Sequence, residues 1–158
     1  VSNLFVYRGG HYPDWLKKGN ATKFIAPFAS QICRGKGVDI GANKWPLKGA
    51  IPIDNGKENA YNIPYDNLDY VYSSHCLEHL PDPVKALEYW REKLRVGGVL
   101  FLYLPHPDME YWQPQFNRKH YHRFTPDEIR KLLTDLGYRD VYGSERDLLW
   151  SFATIGFK

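Results

Sequence analysis

The sequence predicts an α/β protein: an open, twisted, mostly parallel sheet with helices on both faces and an antiparallel hairpin at the C-terminal end. Three observations predict it. Short apolar runs alternate with segments of helical period, as strands and helices do when taken in turn. The first clear run, Gly37-Val38-Asp39-Ile40-Gly41, stops at a glycine, as a buried strand entering a tight turn does. The last two runs, 138–143 and 149–157, are joined by too few residues for a right-handed crossover, so they pair antiparallel.

Each element follows from its residues. Residues 1–19 are rich in aromatics, glycine and lysine without a period and read as an extended arm or lid. Asn20 suits the cap of a helix over 21–33, which Pro27 should kink. Ala50-Ile51-Pro52-Ile53-Asp54 is a second short strand, assigned to an edge because Pro52 has no N–H for a ladder. Leu68-Asp69-Tyr70-Val71-Tyr72-Ser73-Ser74 is the third. Asp82-Pro83 opens a helix with a capping acid and proline at the first helical position. Val84, Leu87, Trp90 or Arg91, and Leu94 give that helix an apolar stripe, and Gly97-Gly98 is expected to end it before strand 99–104. Thr125-Pro126-Asp127-Glu128 is a capping box. Ile129, Leu132, Leu133 and Leu136 follow at helical spacing, and Gly137 closes the helix.

Composition narrows the class. A chain of 158 residues suits one domain, 1–158, able to bury its own core. Apolar residues at 43% and charged residues at 25% are ordinary for a globular protein. No apolar run approaches the ~20 residues of a membrane span, and Val1-Ser2-Asn3-Leu4-Phe5 lacks the pattern of a signal peptide. Two cysteines, Cys33 and Cys76, argue against a disulfide scaffold and fit a reducing cytoplasm. A net charge of +3 without a Lys/Arg block gives no footprint for nucleic acid. The expected partner is a small molecule, and no sequence feature sets the oligomeric state. Aromatics at 16% imply an aromatic-heavy core or an aromatic-lined pocket.

In an open α/β sheet, ligands bind beyond the carboxyl ends of the strands, near the switch point. Val38-Asp39-Ile40-Gly41-Ala42-Asn43 places a small-residue turn there, where backbone can approach a ligand closely. Asp54, at the end of the next strand, can accept both hydroxyls of a ribose, so the pair reads as a nucleoside-cofactor site. The fingerprint G-x-G-x-x-G is absent, which disfavours a dehydrogenase.

With these motifs stand Asn62-Ile63-Pro64-Tyr65, the run Leu68 through Ser74-His75-Cys76-Leu77-Glu78-His79-Leu80, Asp82-Pro83, Trp90-Arg91-Glu92-Lys93-Leu94, Gly97-Gly98 and the segment Thr125 to Tyr138. In this order and spacing the sequence resembles the class I S-adenosylmethionine-dependent methyltransferases, and within them the compact type 11 group. The resemblance spans roughly residues 35–158. It implies a Rossmann-like sheet in compact form, its third family strand reduced to a loop around 57–64, and S-adenosyl-L-methionine as cofactor. It places Asp39, Gly41, Ala42 and Asn43 against the methionine part and Asp54 on the ribose. Asn55 would cover the adenine, Asn62 and Ile63 would frame it, and Ser74 and His75 would lie beside the methyl group. Asn43 stands where the family has a second glycine, and asparagine tolerates positive φ better than most residues.

His75-Cys76-Leu77-Glu78-His79 also reads as H-x-x-E-H, the inverted zinc-protease pattern. Pro81 and Pro83 limit any helix there, and no metal is assigned. Were a cation bound, His75, Glu78 and His79 with a later histidine would be its set. Residues 105–124 form a long insertion on the substrate side, with Tyr111, Trp112 and Phe116 between His106 and the pair His120 and His122. His106, two residues past the strand and flanked by Pro105 and Pro107, leads as the base acting on the acceptor; His122 is second. Phe5, Tyr7, His11, Tyr12 and Trp15 of the arm have no position set by sequence; closure over the same site is one option. The expected function is methyl transfer from S-adenosylmethionine to O or N of a small-molecule or glycan-like acceptor. The alternatives are a non-catalytic module binding a nucleoside ligand or a protein on a shrunken methyltransferase fold, and a metal-dependent hydrolase using His75, Glu78 and His79.

Overall fold

The computed structural model describes residues 3–14, 20–115 and 119–158, so Trp15 and Phe116 lie outside the described residues. In chain order the elements are β1 (Leu4–Tyr7), β2 (Gly10–Pro13), α1 (Thr22–Ile32), β3 (Gly37–Ile40), β4 (Ile51–Ile53) and β5 (Leu68–Ser74). They continue with α2 (Pro83–Lys93), β6 (Leu94–Pro105), α3 (Pro126–Asp135), β7 (Arg139–Gly143) and β8 (Ser151–Phe157). Six strands form one sheet in the order β4-β3-β5-β6-β8-β7. The pairs β3–β4, β3–β5 and β5–β6 are parallel, while β6–β8 and β7–β8 are antiparallel. This is the expected mostly parallel sheet with its antiparallel end, and Pro52 sits on the edge strand β4, where its missing N–H breaks no ladder.

Alternation along β5 and β6 divides the core in two. Val71, Leu100, Leu102 and Leu104 face one way and pack with Leu87 and Trp90 of α2 and Ile129 and Leu133 of α3. Tyr70, Tyr72, Val99, Phe101 and Tyr103 face the other way and pack with Ala29 of α1. Period-two alternation on strands buried on both faces produces these two apolar layers. The aromatic excess is largely core: Trp90 donates its indole N–H to the Ala60 carbonyl at 2.7 Å, and Tyr138 its hydroxyl to the Leu87 carbonyl at 2.7 Å. Each large ring is thus buried with its polar atom satisfied.

Several local expectations are corrected. The stripe of α2 is Pro83, Ala86, Leu87 and Trp90; Val84 is exposed, and Arg91 turns out to donate to the Gly137 carbonyl. Gly97-Gly98 does not end that helix. The chain is already extended from Leu94, which pairs with Leu68, and the ladder slips before Tyr70 meets Val99. Gly98 is required within this bulge because a Cβ there would lie 2.9 Å from the Leu68 carbonyl oxygen. Ala21, not Asn20, occupies the cap position of α1, although the Asn20 side chain accepts from the Lys23 amide at 3.4 Å. The helix continues through Pro27. Thr125 and Glu128 form the capping box of α3 as expected.

Among the described residues, the stretch between β4 and β5 carries only an isolated bridge from Asn59 to Asn62 where the family's third strand would lie. The described part of the N-terminal arm is not extended: β1 and β2 form an antiparallel hairpin. Phe5 and Tyr7 pack edge-on against Tyr111, and Tyr12 against Trp150, around buried Met109. Arg8 pairs with Glu110 at 2.8 Å. The hairpin therefore docks on the insertion that follows β6. No helix of the described residues is long and apolar enough to cross a membrane.

Candidate active site

The chain passes from β3 to β4 on one side and later to β5 on the other, so the switch point lies at the carboxyl end of β3. Ile40 is in register with Ile53, and Gly41 and Asp54 therefore leave the sheet side by side. Gly41 has φ +78° and Asn43 φ +48°, both in the left-handed region. A Cβ on Gly41 would lie 2.6 Å from Cβ of Cys76, the residue that closes against the turn from the end of β5. The Gly41 and Ala42 amides donate to the Ile53 carbonyl at 2.7 and 3.4 Å, which fastens the turn to β4.

The crossover to β4 is a helix-free loop, and Asp39 holds it. Asp39 Oδ2 accepts from the Leu47 amide at 2.8 Å, with both residues buried. Asp39 is thus turned inward to support the turn, where the resemblance had placed it against methionine. Burial pushes its carboxyl up to about 7, against the Leu47 hydrogen bond, and the nearby Asp54 charge adds to the rise. Asp54 and Asn55 are exposed at the strand end, and Ala42 is buried beneath the turn. Asn62 donates its amide to the Lys57 carbonyl at 2.7 Å within its own loop. The Ile63 side chain belongs to the core, and its amide donates to the Tyr89 hydroxyl at 2.9 Å, so this side chain is not available to frame a ligand.

Ser74 ends β5, half-buried. His75 has φ +49°, donates its amide to the Tyr103 carbonyl at 2.8 Å and shares a 3.0 Å hydrogen bond between Nε2 and Ser151 Oγ. Burial, with His120 and His79 nearby, holds its imidazole down at about 3. Its ring therefore points to β8 and does not join Glu78 and His79 as a ligand set. Leu77–His79 is a single 3₁₀ turn, too short to present His75 and His79 on one helix face, which removes the protease pattern.

A second cleft lies beyond β5 and β6, lined by Glu78, Pro105, His106, Pro107, Gln113, His122, Arg123 and Phe124. It is small, and part of it is open to solvent. Both histidines expected to act on an acceptor meet here, but their tautomers differ. His106 Nδ1 accepts from the Asp108 amide at 3.1 Å, which leaves the proton on Nε2. His122 Nε2 lies 2.7 Å from the Leu80 carbonyl and must donate to it, which leaves Nδ1 as that ring's acceptor. Glu78 is 1% exposed, and neither of its carboxylate oxygens has a hydrogen-bond partner. Burial pushes this carboxyl up to about 8. Sequence reasoning did not place Glu78, Gln113 or Phe124 in this cleft, because the contact joins segments about thirty to forty-five residues apart.

A left-handed turn and an exposed carboxylate at the switch point, on a mostly parallel sheet with an antiparallel end, are the features that the resemblance to the S-adenosylmethionine-dependent methyltransferases implies. The family model described as a methyltransferase domain matches residues 14–142, and the chain belongs to that family. The fold is similar to that of an S-adenosylmethionine-dependent methyltransferase from Thermotoga maritima, with TM-score 0.68 and 16% identity over 91% of this chain and 96% of that one. It is also similar to one from Archaeoglobus fulgidus, with TM-score 0.65 and 18% identity over 91% and 98%. No curated protein matches by sequence. The protein is a methyltransferase, and S-adenosylmethionine is its methyl donor. The strand ends fit this group: an exposed carboxylate stands beside a turn held open in the left-handed region.

Two outcomes follow from the turn. Gly41→Ala should destabilise the fold by at least about 1–2 kcal/mol from the left-handed backbone alone, with the contact to Cys76 adding to it; urea unfolding measures this, and an unchanged midpoint would contradict the geometry. Asp39 has a folded-state pKa above its unfolded value of about 3.9. Its contribution to stability is therefore full below pH 4 and is lost as pH rises through about 7. Asp39→Asn keeps an acceptor for Leu47 and never ionises, so the stability of the wild type relative to this variant should fall between pH 4 and 8. Parallel urea midpoints across that range would show instead that Asp39 does not titrate there.

Proposed function

We propose that the protein transfers the methyl group to oxygen or nitrogen of a small acceptor, glycan-like molecules included, bound in the cleft between His106 and His122. The observation that carries this reading is the cleft itself: two histidines of opposite tautomer face one small space beyond the strand ends. The mild net charge of +3, with no Lys/Arg block, suits a small acceptor better than a nucleic-acid polymer.

S-adenosylmethionine supplies an electrophilic methyl, so the protein's task is to align the acceptor and take its proton. Asp54 holds the ribose hydroxyls, Asn43 and the Gly41 turn lie against the methionine part, and Asn55 covers the adenine. The Leu80 carbonyl fixes the His122 ring with Nδ1 unprotonated, and Nδ1 accepts the proton of the hydroxyl or ammonium. His106, protonated at Nε2, donates a hydrogen bond that orients the acceptor. This ordering reverses the sequence-based preference for His106 as base. The reason is local: the Asp108 amide occupies the Nδ1 lone pair of His106.

Asp54→Ala should weaken S-adenosylmethionine binding at least about tenfold, through loss of charge-assisted hydrogen bonds worth about 1.5–3 kcal/mol each. Because Asp54 is exposed, ligand-free stability should stay nearly constant. Calorimetric titration tests this, and unchanged affinity would remove Asp54 from the site. With phenol, catechol and primary-amine panels scored by S-adenosylhomocysteine release, His122→Ala should lower turnover by about a hundredfold or more with donor affinity unchanged. His106→Ala should cost less. Full turnover in His122→Ala would overturn the base assignment.

A further inference from the structure

We propose that Glu78, His79 and His120 bind one divalent transition-metal ion of the zinc, cobalt or manganese class beside the histidine-lined cleft. One ligand atom from each of the three residues lies within 4.8 Å of the others. Tetrahedral ligands about 2.1 Å from a common ion stand about 3.4 Å apart, so closure asks each ligand atom to move by up to about 0.8 Å. The carboxylate of Glu78 is the independent sign of a missing ligand. It is 1% exposed with no hydrogen-bond partner on either oxygen, and an ionisable group so placed is costly unless something coordinates it.

His79 is oriented as a metal ligand is. His79 Nδ1 lies against the Lys119 carbonyl, which only accepts, so the proton is on Nδ1 and the bare Nε2 faces Glu78 Oε1 at 3.5 Å. A backbone carbonyl holding the second ring nitrogen is the usual outer support of a ligating histidine. The His120 ring, buried, meets His79 edge-on with centroids 4.5 Å apart. Two imidazoles and one carboxylate favour first-row transition ions over magnesium or calcium, which select all-oxygen sites. Three protein ligands leave a coordination position open, and Glu78 also lines the acceptor cleft. The ligands come from residues 78–79 and 120, so an ion would tie the insertion to the end of β5. His75 is not in this group of ligand atoms, and its Nε2 is bonded to Ser151.

The test needs no acceptor and does not rest on the base assigned to His122. The full chain is dialysed against chelator, returned to metal-free buffer and titrated separately with cobalt(II) and zinc(II) chlorides. The expected result is one equivalent of cobalt(II) bound with visible d–d absorption, displaced by zinc(II), which raises the melting temperature. His120→Ala and Glu78→Gln should each weaken binding at least about tenfold, as much as loss of an outer support does, while exposed His11→Ala changes nothing. S-adenosylmethionine titrations on the same samples confirm that the variants are folded. Absence of stoichiometric cobalt(II) binding, equal loss in His11→Ala, or full affinity in folded His120→Ala overturns the site. Loss of donor binding with the metal retained would count against the methyl-transfer reading alone.

Discussion

The backbone carbonyl of Glu78 is the joint on which the histidine-lined cleft depends. It accepts from the amides of both Tyr121 and His122, at 2.8 and 3.1 Å, and so pins the return leg of a long insertion to the first turn after β5. That one clamp places His120 beside Glu78 and His79, and His122 beside the cleft that Glu78 lines. It needs the β5–β6 ladder beneath it. Ser74 is level with Tyr103, so the chain after β5 and the chain after β6 leave the sheet as neighbours. Register, a property of hydrogen-bonded backbone, thus decides which side chains can share chemistry.

The β3–β4 end of the sheet is built with less chain. A crossover helix between β3 and β4 is replaced by a loop whose stability comes from inside: the Asp39 carboxylate on the Leu47 amide, and buried Leu47 itself. The same economy removes the third family strand, and the core contacts of Ile63 and Ala60 with α2 close the gap. Asp39, Ile63 and Asn62, which the resemblance had placed against a ligand, are here engaged in holding the wall together. Asp54, Asn55 and Asn43 remain exposed.

Aromatic residues serve two separate ends. Those on β5, β6 and α2 fill the core, where size and planarity give large burial with a polar atom still satisfied. Those of the N-terminal hairpin join Tyr111 and Trp150 in a small satellite cluster around Met109. Arg146 covers the Trp150 ring at 4.3 Å and reaches toward Asp108, which in turn engages His106. Hairpin, insertion and the loop before β8 are therefore one packed unit on the rim of the cleft.

The sequence by itself determined the layered α/β class, the antiparallel pairing of the last two strands, the capping box of α3, the edge position of Pro52 and the two strand-end motifs at Gly41 and Asp54. These are local or periodic properties: alternation, caps and turns act within a few residues and survive without knowledge of partners. It misplaced what depends on partners. Whether Val84 or Ala86 faces the core, whether Leu94 ends a helix or opens a strand, and whether His75 or His120 stands beside Glu78 are set by contacts across the fold. The tautomers of the two cleft histidines were likewise beyond the sequence. A tautomer is chosen by the hydrogen bond on the opposite nitrogen, and the Leu80 carbonyl that fixes His122 lies forty-two residues away.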